Sequence, residues 1–329
     1  MRIKILTTLL LLCLTLSAAG RTYTISPRNG VHVLDSATVL SHIEFLSSPV
    51  CGGRRTGTKG SEEAKAWLIR QYKELGLSPD ESFNRGFLSE DGTKGHNIIG
   101  FLPGEVTGLQ QPYIIVGAHF DGLGTINGTL YPGADSNASG VVSMLSIAGM
   151  LNELARVGRC LPKTVIFVAI DGKEMSMSGS RALWDLISSG KLHDPSTGAA
   201  VTPDKIALMV NIDQVGCTLS PIKAGQKDYL IMLSEDGTIY RGQLSAAARQ
   251  YGSPLQLGYD YYGSRDFTRI FLRRIGDQKV FLDHGIRSVV FTSGITMNNN
   301  KPYDDAASID VGILCRRIEL MYYWLVKVA

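Results

Sequence analysis

The chain has 329 residues, of which 44% are hydrophobic and 19% are charged, and its formal net charge is +3. This composition excludes a fibrous or disordered protein and is typical of a globular chain with a substantial core. The absence of a basic block or an aromatic-basic stripe argues against a nucleic-acid partner.

The first segment of the chain is typical of an export signal. Arg2 and Lys4 precede an apolar stretch that is short for a membrane span, and the small residues Ser17–Ala19 follow it. We expect cleavage at the end of this run, so that residues 1–19 are a signal peptide and the mature protein is periplasmic or extracellular, without a membrane contact. An uncleaved anchor is the alternative, which the small residues disfavour.

Beyond this segment, helical patterns alternate with short β-branched runs, and residues 20–329 are expected to form one domain. Helices are predicted over Ser61–Leu75, with Ser61 as the cap, and over Ser139–Leu154, where apolar residues recur at helical spacing. Strands are predicted at four runs that lack strict alternation: Tyr113–Gly117, Thr164–Ile170, Ile206–Ile212 and Ser288–Phe291. Such runs are typical of strands buried on both faces. The pattern therefore predicts an α/β sandwich with a largely parallel central sheet that helices cover on each side.

Four cysteines follow the predicted signal: Cys51, Cys160, Cys217 and Cys315. They are widely separated and lack CxxC spacing, so neither a structural zinc site nor a disulfide framework is indicated. Four buried free thiols and one disulfide are both consistent with this spacing.

Acidic and histidine side chains follow the predicted strands. The first run ends in GAHFDG, with His119 and Asp121, and Glu174 and Asp213 follow the next two; Asp135 precedes the second helix. In open α/β sheets, ligands collect at the carboxyl ends of the strands, so these side chains are expected to meet. The carboxylates would repel one another without a cation, and the ligand mixture suits zinc. Taken singly, each residue could instead be a core histidine, a helix cap or a turn residue.

Four short segments stand in a specific order along the chain: HFD, PGADSNASG, DGKEMSMSGS and NIDQVG. In this order they resemble the zinc exopeptidases of metallopeptidase family twenty-eight, which includes bacterial leucyl aminopeptidases and glutaminyl cyclases. Four further segments match as well: HIEFLSS at 42–48, RRTGTKGS at 54–61, HNIIGFLPG at 96–104 and GIRSVVFTSG at 285–294. The resemblance covers nearly the whole mature chain. It implies the zinc-exopeptidase fold, a three-layer α/β/α sandwich with a mixed, largely parallel central sheet, and an enzyme that removes N-terminal residues from peptides.

The resemblance also implies a role for each site residue. Two zinc ions would share Asp135, one also taking His119 and Asp213, the other Glu174 and a histidine from a late loop. Asp121 would orient the His119 ring. A glutamate directly before Glu174 would act as the general base towards a metal-bound water.

The chain departs from this pattern at two site positions. Lys173 stands where the family has its general base, and Asn300 stands where it has the late-loop histidine. A lysine with an ordinary pKa of about 10.4 keeps its proton near neutrality, and so cannot accept another. The amide oxygen of Asn300 is a poorer zinc ligand than an imidazole. We therefore expect impaired catalysis and one bound zinc rather than two, held mainly by His119, Asp135 and Asp213.

Two interpretations of Lys173 remain open. Its ammonium could supply a cation to the carboxylates beside Glu174, or it could point to solvent. Three functions of the chain compete: an exported metalloexopeptidase of aminopeptidase type, a family member that binds peptides or another ligand without cutting them, and a glutaminyl cyclase-like aminoacyltransferase.

Three other features are interpreted more simply. His284 is expected to face a helix end rather than to replace a ligand. Gly276-Asp277-Gln278 stands where many relatives have Ser-Asp-His near the pocket. A tyrosine cluster is either a pocket wall or ordinary loop packing: Tyr259, Tyr261 and Tyr262.

Overall fold

The computed structural model of the protein describes residues 22–25, 32–105, 112–219, 227–235 and 237–329. The signal peptide predicted at residues 1–19 lies outside these ranges and stays a prediction, as does the single domain over residues 20–329.

Strands and helices alternate along the described chain. The strands are β1 (Thr22–Ile25), β2 (His32–Asp35), β3 (Asn84–Leu88), β4 (Lys94–Leu102), β5 (Tyr113–His119), β6 (Gly124–Ile126), β7 (Thr129–Tyr131), β8 (Thr164–Ile170), β9 (Ile206–Ile212), β10 (Tyr229–Ser234), β11 (Gln256–Gly258) and β12 (Ser288–Thr292). The α-helices are α1 (Ser36–Leu46), α2 (Lys59–Glu74), α3 (Ser139–Arg156), α4 (Ser178–Ser188), α5 (Gly237–Tyr251), α6 (Arg265–Arg273), α7 (Gln278–Asp283) and α8 (Val311–Val328). Short helical turns occupy Gly52–Arg54, Ala134–Ala138, Pro203–Lys205 and Ala306–Ser308.

Eight of the strands form one sheet in the order β11-β10-β12-β9-β5-β8-β4-β3. Its centre is parallel, since β12, β9, β5 and β8 all run in one direction. The β10–β11 pair is also parallel, whereas β10–β12, β8–β4 and β4–β3 are antiparallel. The predicted mixed, largely parallel sheet is confirmed.

Both faces of the central strands are buried, which explains why their sequences do not alternate. In β5, Ile114 and Val116 belong to one core cluster, shared with α1, α2, α3, α5 and α8, whereas Tyr113 and Ile115 belong to a second cluster, shared with α4 and α7. Successive side chains of a strand point to opposite faces, so each face needs its own apolar set. The helices on the two sides complete the predicted three-layer sandwich.

The first predicted helix starts earlier than expected. α2 begins at Lys59, and its cap is Thr58, whose hydroxyl oxygen accepts a hydrogen bond from the Ser61 amide at 3.3 Å. Ser61 as the cap was wrong because Thr58 supplies an equally suitable hydroxyl one turn earlier. α3 begins at Ser139 as predicted.

One helical stretch in the described ranges, Ala134–Arg156, is long and apolar enough to cross a membrane, but 72% of its most apolar window is buried inside the protein. Such extensive burial is typical of a helix in the core of a protein.

The four cysteines within the described ranges are all free thiols. Cys51, Cys217 and Cys315 are buried, whereas Cys160 is exposed. Of the two possibilities left open by the spacing, free thiols are therefore the one observed, with one thiol at the surface.

Candidate active site

Two predicted site residues meet where the parallel strands end. His119 is the last residue of β5, and Asp213 directly follows the neighbouring β9. His119 Nε2 lies 3.5 Å from Asp213 Oδ1, and both residues are buried. Two ligand atoms about 2.0–2.2 Å from a tetrahedral zinc ion lie roughly 3.3–3.6 Å apart. The pair is therefore spaced as two ligands of one zinc ion.

Asp135 presents one free oxygen from the turn before α3. Its Oδ1 accepts hydrogen bonds from the amides of Gly216, at 2.8 Å, and Cys217, at 3.2 Å. Its Oδ2 is buried and has no hydrogen-bond partner. Burial raises the pKa of the Asp135 carboxyl above its usual value. A buried acceptor without a donor is unfavourable unless a cation or a proton satisfies it.

The donor set fits one zinc ion only in part. His119 and Asp213 have the required spacing, and Asp135 has the right chemistry. However, the described ranges contain no group of three His, Cys, Asp or Glu side chains arranged closely enough to hold a metal ion. The second position implied by the family fits less well, because Glu174 has a lysine as its partner and Asn300 offers only an amide.

Asp121 holds the backbone of the Lys173–Glu174 pair. Its two carboxylate oxygens accept hydrogen bonds from the Lys173 amide at 3.1 Å and the Glu174 amide at 2.9 Å. His119 Nδ1 lies 3.1 Å from the Asp121 backbone oxygen and 3.4 Å from its Oδ1. Asp121 thus contacts the His119 ring through its main chain as well as its side chain. Its carboxylate also holds the backbone of Lys173 and Glu174 in the loop after β8.

The Lys173 side chain points into the site. Its Nζ lies 2.8 Å from Glu174 Oε1, and the side chain is 16% exposed. Burial lowers the pKa of Lys173, but the negative charges of Asp213, Glu174 and Asp121 outweigh it, so the net pKa lies above that of an ordinary lysine. Of the two interpretations of Lys173, the geometry matches the ammonium among the carboxylates.

The buried charges of the site depend on one another. Burial and the charge of Lys173 lower the pKa of His119, yet the carboxylates of Asp121 and Asp213 raise it overall to about 10. Burial raises the pKa of Asp213, but the nearby His119 ring and the charges of His119 and Lys173 bring it below its usual value. His119 and Lys173 are therefore both cations at neutral pH when no metal is bound.

Glu174 and Asn300 line the same small cleft, together with Ser136 and Asp304. Asn300 has a φ of 57°, in the left-handed region that asparagine tolerates better than most residues. The late loop thus brings Asn300 to the cleft where the family resemblance predicted a histidine.

Two buried carboxylates at the site were not assigned from the sequence. Asp304, on the late loop, accepts hydrogen bonds from the amides of Asp135 at 2.8 Å and Ser136 at 3.1 Å. Asp277 is fully buried, and neither of its carboxylate oxygens has a hydrogen-bond partner in the described chain. Burial raises the pKa of Asp277 to about 6, against the opposing charges of His119 and Lys173. The Asp pair in the late loop and the GDQ triplet were the available signals.

A buried arginine supports the loop that carries Asp135. Arg54 is fully buried and donates hydrogen bonds to the carbonyls of Phe120 at 2.6 Å, Pro132 at 2.8 Å and Gly133 at 2.8 Å, as well as to Leu46. It therefore joins the residue after His119 to the segment just before Asp135. In the sequence, Arg54 begins the RRTGTKGS segment, and that segment was the pattern that could have indicated its importance.

Three further residues have structural roles. Asp171 accepts hydrogen bonds from Thr56 Oγ1 at 2.7 Å and the His96 amide at 3.0 Å. His284 is the C-cap of α7 and stacks on Trp184 with ring centroids 4.1 Å apart, which confirms it as a helix-end residue. Gln278 donates to main-chain carbonyls and accepts from the Asn211 side chain at 2.8 Å.

The tyrosine cluster holds loops together. The Tyr262 and Tyr229 hydroxyls lie 2.6 Å apart, and Tyr261 accepts a hydrogen bond from the Ile295 amide at 3.1 Å. Tyr259 contacts Ser245 on α5 instead. Loop packing is therefore the interpretation that these contacts support.

The chain is similar in fold to solved peptidases and cyclases. A zinc aminopeptidase from Bacillus subtilis, BSAP, matches with a TM-score of 0.65 at 14% identity, over 89% of this chain and 95% of that one. The glutaminyl cyclase of Porphyromonas gingivalis matches with a TM-score of 0.61 at 17% identity, over 90% and 99%. The glutaminyl cyclase of Fimbriiglobus ruber matches with a TM-score of 0.66 at 15% identity, over 92% and 97%.

No curated protein sequence matches the chain. The profile of Peptidase family M28, in contrast, matches residues 97–325, a span that contains His119, Asp135, Glu174 and Asp213. This chain therefore belongs to peptidase family M28.

Proposed function

We propose that this protein is an exported family member that binds peptides at the described cleft and hydrolyses their N-terminal residues slowly or not at all. The observation that carries the proposal is Lys173. It stands at the position of the general base, with its Nζ 2.8 Å from Glu174 Oε1 and its pKa raised by the surrounding carboxylates. A protonated amine cannot take a proton from an attacking water.

Zinc is the metal of this family in general, and we propose that one ion binds here, to His119, Asp213 and Asp135. Zinc would supply Lewis-acid polarisation of a carbonyl and a lowered pKa for bound water. The residues around the ion would support only part of this chemistry. Glu174 is paired with an ammonium, and Asn300 cannot replace an imidazole in charge or in basicity.

An assay on leucyl and methionyl chromogenic amides, with and without added zinc, tests the proposal. The native chain should be at least roughly a hundredfold slower than the Bacillus subtilis zinc aminopeptidase under the same conditions, since a general base contributes about a hundred- to ten-thousand-fold. Lys173→Glu and Asn300→His should each recover little. The double variant should recover more than either, because residues that act as a unit are not additive.

Lys205→Glu is the matched control, since Lys205 is a lysine whose Nζ donates to the Ala200 carbonyl away from the site. Native turnover at the rate of the reference aminopeptidase would contradict the proposal. It would favour the second candidate, an ordinary aminopeptidase, which the ligand spacing of His119 and Asp213 supports. An N-terminal glutaminyl peptide in the same panel tests the third candidate, a glutaminyl cyclase-like transferase.

Export is proposed from the first 19 residues. Expression of the full chain in a Gram-negative host, followed by fractionation and N-terminal sequencing, should give a periplasmic or extracellular protein that begins after Ala19. An intact N-terminus in the membrane fraction would support the uncleaved anchor instead.

A further inference from the structure

Among the buried site atoms that lack a hydrogen-bond partner in the described chain, four carboxylate oxygens stand against one ring nitrogen, His119 Nε2. Asp213 Oδ1, Asp135 Oδ2 and both carboxylate oxygens of Asp277 are buried and have no hydrogen-bond partner in the described chain. Lys173 Nζ carries three N–H groups, of which one is directed at Glu174 Oε1. Uncompensated carboxylates in a protein interior are costly, so this cluster is stabilised by protonation or by positive charge close by.

Lys173 is placed to supply that charge. Its main chain is fixed by the hydrogen bond from its amide to Asp121, so its side chain starts beside the cluster. Its side chain is mostly buried, with 16% exposed, and its charge acts on Asp213 and Asp277 as well as on Glu174. The same carboxylates are those that a divalent ion would need.

We propose that Lys173 is a built-in cation of this site, beside His119, and competes with a divalent metal ion for the same carboxylates. An ammonium and a zinc ion a few ångströms apart would repel each other, and each would weaken the other's interaction with Asp213 and Glu174. Zinc can therefore bind fully only after the Lys173 side chain turns out towards solvent. This inference does not depend on whether peptides are cut.

Zinc binding to the purified full chain tests the competition directly. In isothermal titration with zinc chloride, Lys173→Met should bind zinc roughly tenfold more tightly or better than the native chain, because a like charge is removed from the site. Lys173→Arg keeps the positive charge and should bind as weakly as the native chain. Lys205→Met is the control for the loss of a partly buried lysine, and its zinc affinity should equal the native value.

Thermal unfolding in a chelating buffer supplies a second readout. Without metal, Lys173→Met should melt roughly 2–4 °C or more below the native chain, because its carboxylates have lost one of their two cations, and added zinc should restore it. Zinc should shift the melting of the native chain much less. Equal zinc affinities of the native chain and Lys173→Met, or equal melting in chelator, would overturn the proposal.

A measurement on the native chain keeps the proposal testable if Lys173→Met does not fold. Acetylation of Lys173 by an amine-reactive reagent is followed by mass spectrometry, with the exposed Lys327 of the C-terminal helix as the internal reference. Modification should be slow in chelator and faster in millimolar zinc, because the displaced amine reaches solvent. An unchanged Lys173 rate in zinc that saturates the site would contradict the competition.

Discussion

At the scale of single residues, the site is organised by carboxylates that bind main-chain amides rather than ligands. Asp121 accepts from the amides of Lys173 and Glu174, and Asp304 accepts from those of Asp135 and Ser136. Each of these carboxylates fixes the course of a loop that carries a candidate site residue. The positions of Glu174 and Asp135 therefore depend on side chains that never need to touch a substrate.

Asp304→Ala should destabilise the protein by roughly 2–4 kcal/mol, because it leaves two amides without their acceptor, one from each of two buried residues. Urea unfolding at neutral pH measures the loss. Asp305→Ala is the matched control, since Asp305 is exposed and only caps a short helical turn through the Ala307 amide. It should cost about 1 kcal/mol or less. Equal losses of stability for the two variants would contradict the proposed role of Asp304 in holding the amides of Asp135 and Ser136.

Zinc content is expected to be nearer one ion per chain than two. After equilibration in a zinc-containing buffer, elemental analysis should give about one ion for the native chain, since His119 and Asp213 are spaced as two ligands of one ion, whereas Asn300 stands where a second ion would need an imidazole. His119→Ala should lower the content well below that. His284→Ala removes a histidine that stacks on Trp184 and should leave it unchanged. Two firmly held ions would contradict the expectation.

At the scale of elements, the parallel strands determine where site residues emerge, and the helices add charges that the core must accommodate. α8 is the C-terminal helix, and it carries Glu319 in a half-buried position between Cys315 and Tyr323. Burial raises the pKa of Glu319 to about 7, although Arg316 opposes the shift. The helix thus carries a carboxylate that the folded state prefers to keep protonated.

Glu319→Gln should change how stability depends on pH. The native state keeps the Glu319 proton up to about pH 7, whereas the unfolded chain releases it near 4.5. The unfolded state therefore binds fewer protons between these values, and native stability falls as pH rises through this window. At pH 4 the free energy of unfolding of the variant should equal that of the native chain. At pH 8 it should be higher by about 1 kcal/mol, after allowance for solvent screening. Urea unfolding at both pH values tests this, and an equal difference at both would contradict it.

At the scale of the whole molecule, one buried guanidinium connects the helical layer to the sheet and to the site. Arg317 of α8 is fully buried and donates to the carbonyls of Tyr229 on β10 at 2.7 Å, Val215 at 2.7 Å and Cys217 at 2.8 Å. The amide of Cys217 in turn holds Asp135. The loop after β9 is therefore fixed from both sides, by an arginine and by a carboxylate.

Arg317→Met should lower the free energy of unfolding by roughly 3–5 kcal/mol, because three buried carbonyls lose their donor. Arg317→Lys should recover only part of this, since an ammonium lacks the planar fork of the guanidinium. The neighbouring Arg316 is the control: it is half-buried and pairs with Asp228 near the surface, so Arg316→Met should cost less than about 1 kcal/mol. Chemical denaturation of the three variants distinguishes them, and a loss from Arg317→Met no larger than that from Arg316→Met would contradict this role.

The sheet and its layers were predictable from the sequence because they depend on local patterns. The β-branched runs at 113–117, 164–170, 206–212 and 288–291 coincide with central strands, since a strand buried on both faces needs apolar residues at every position. The order of the segments from HFD to NIDQVG likewise indicated the family. Even here the cap of α2 was misplaced, because Thr58 and Ser61 are equally plausible caps until the helix start is known.

The contacts inside the site were decided only by the tertiary structure. Asp304 binds the amide of Asp135, 169 residues away, and Asp277 lies among the charges of His119 and Lys173. The sequence alone could not say whether Lys173 points to solvent or to Glu174, because a side-chain rotamer depends on neighbours that the fold brings in from other strands. Residue identity determined which chemistry was available at the strand ends. The packing of distant loops decided which charges meet, because electrostatic interactions depend on separations in space rather than along the chain.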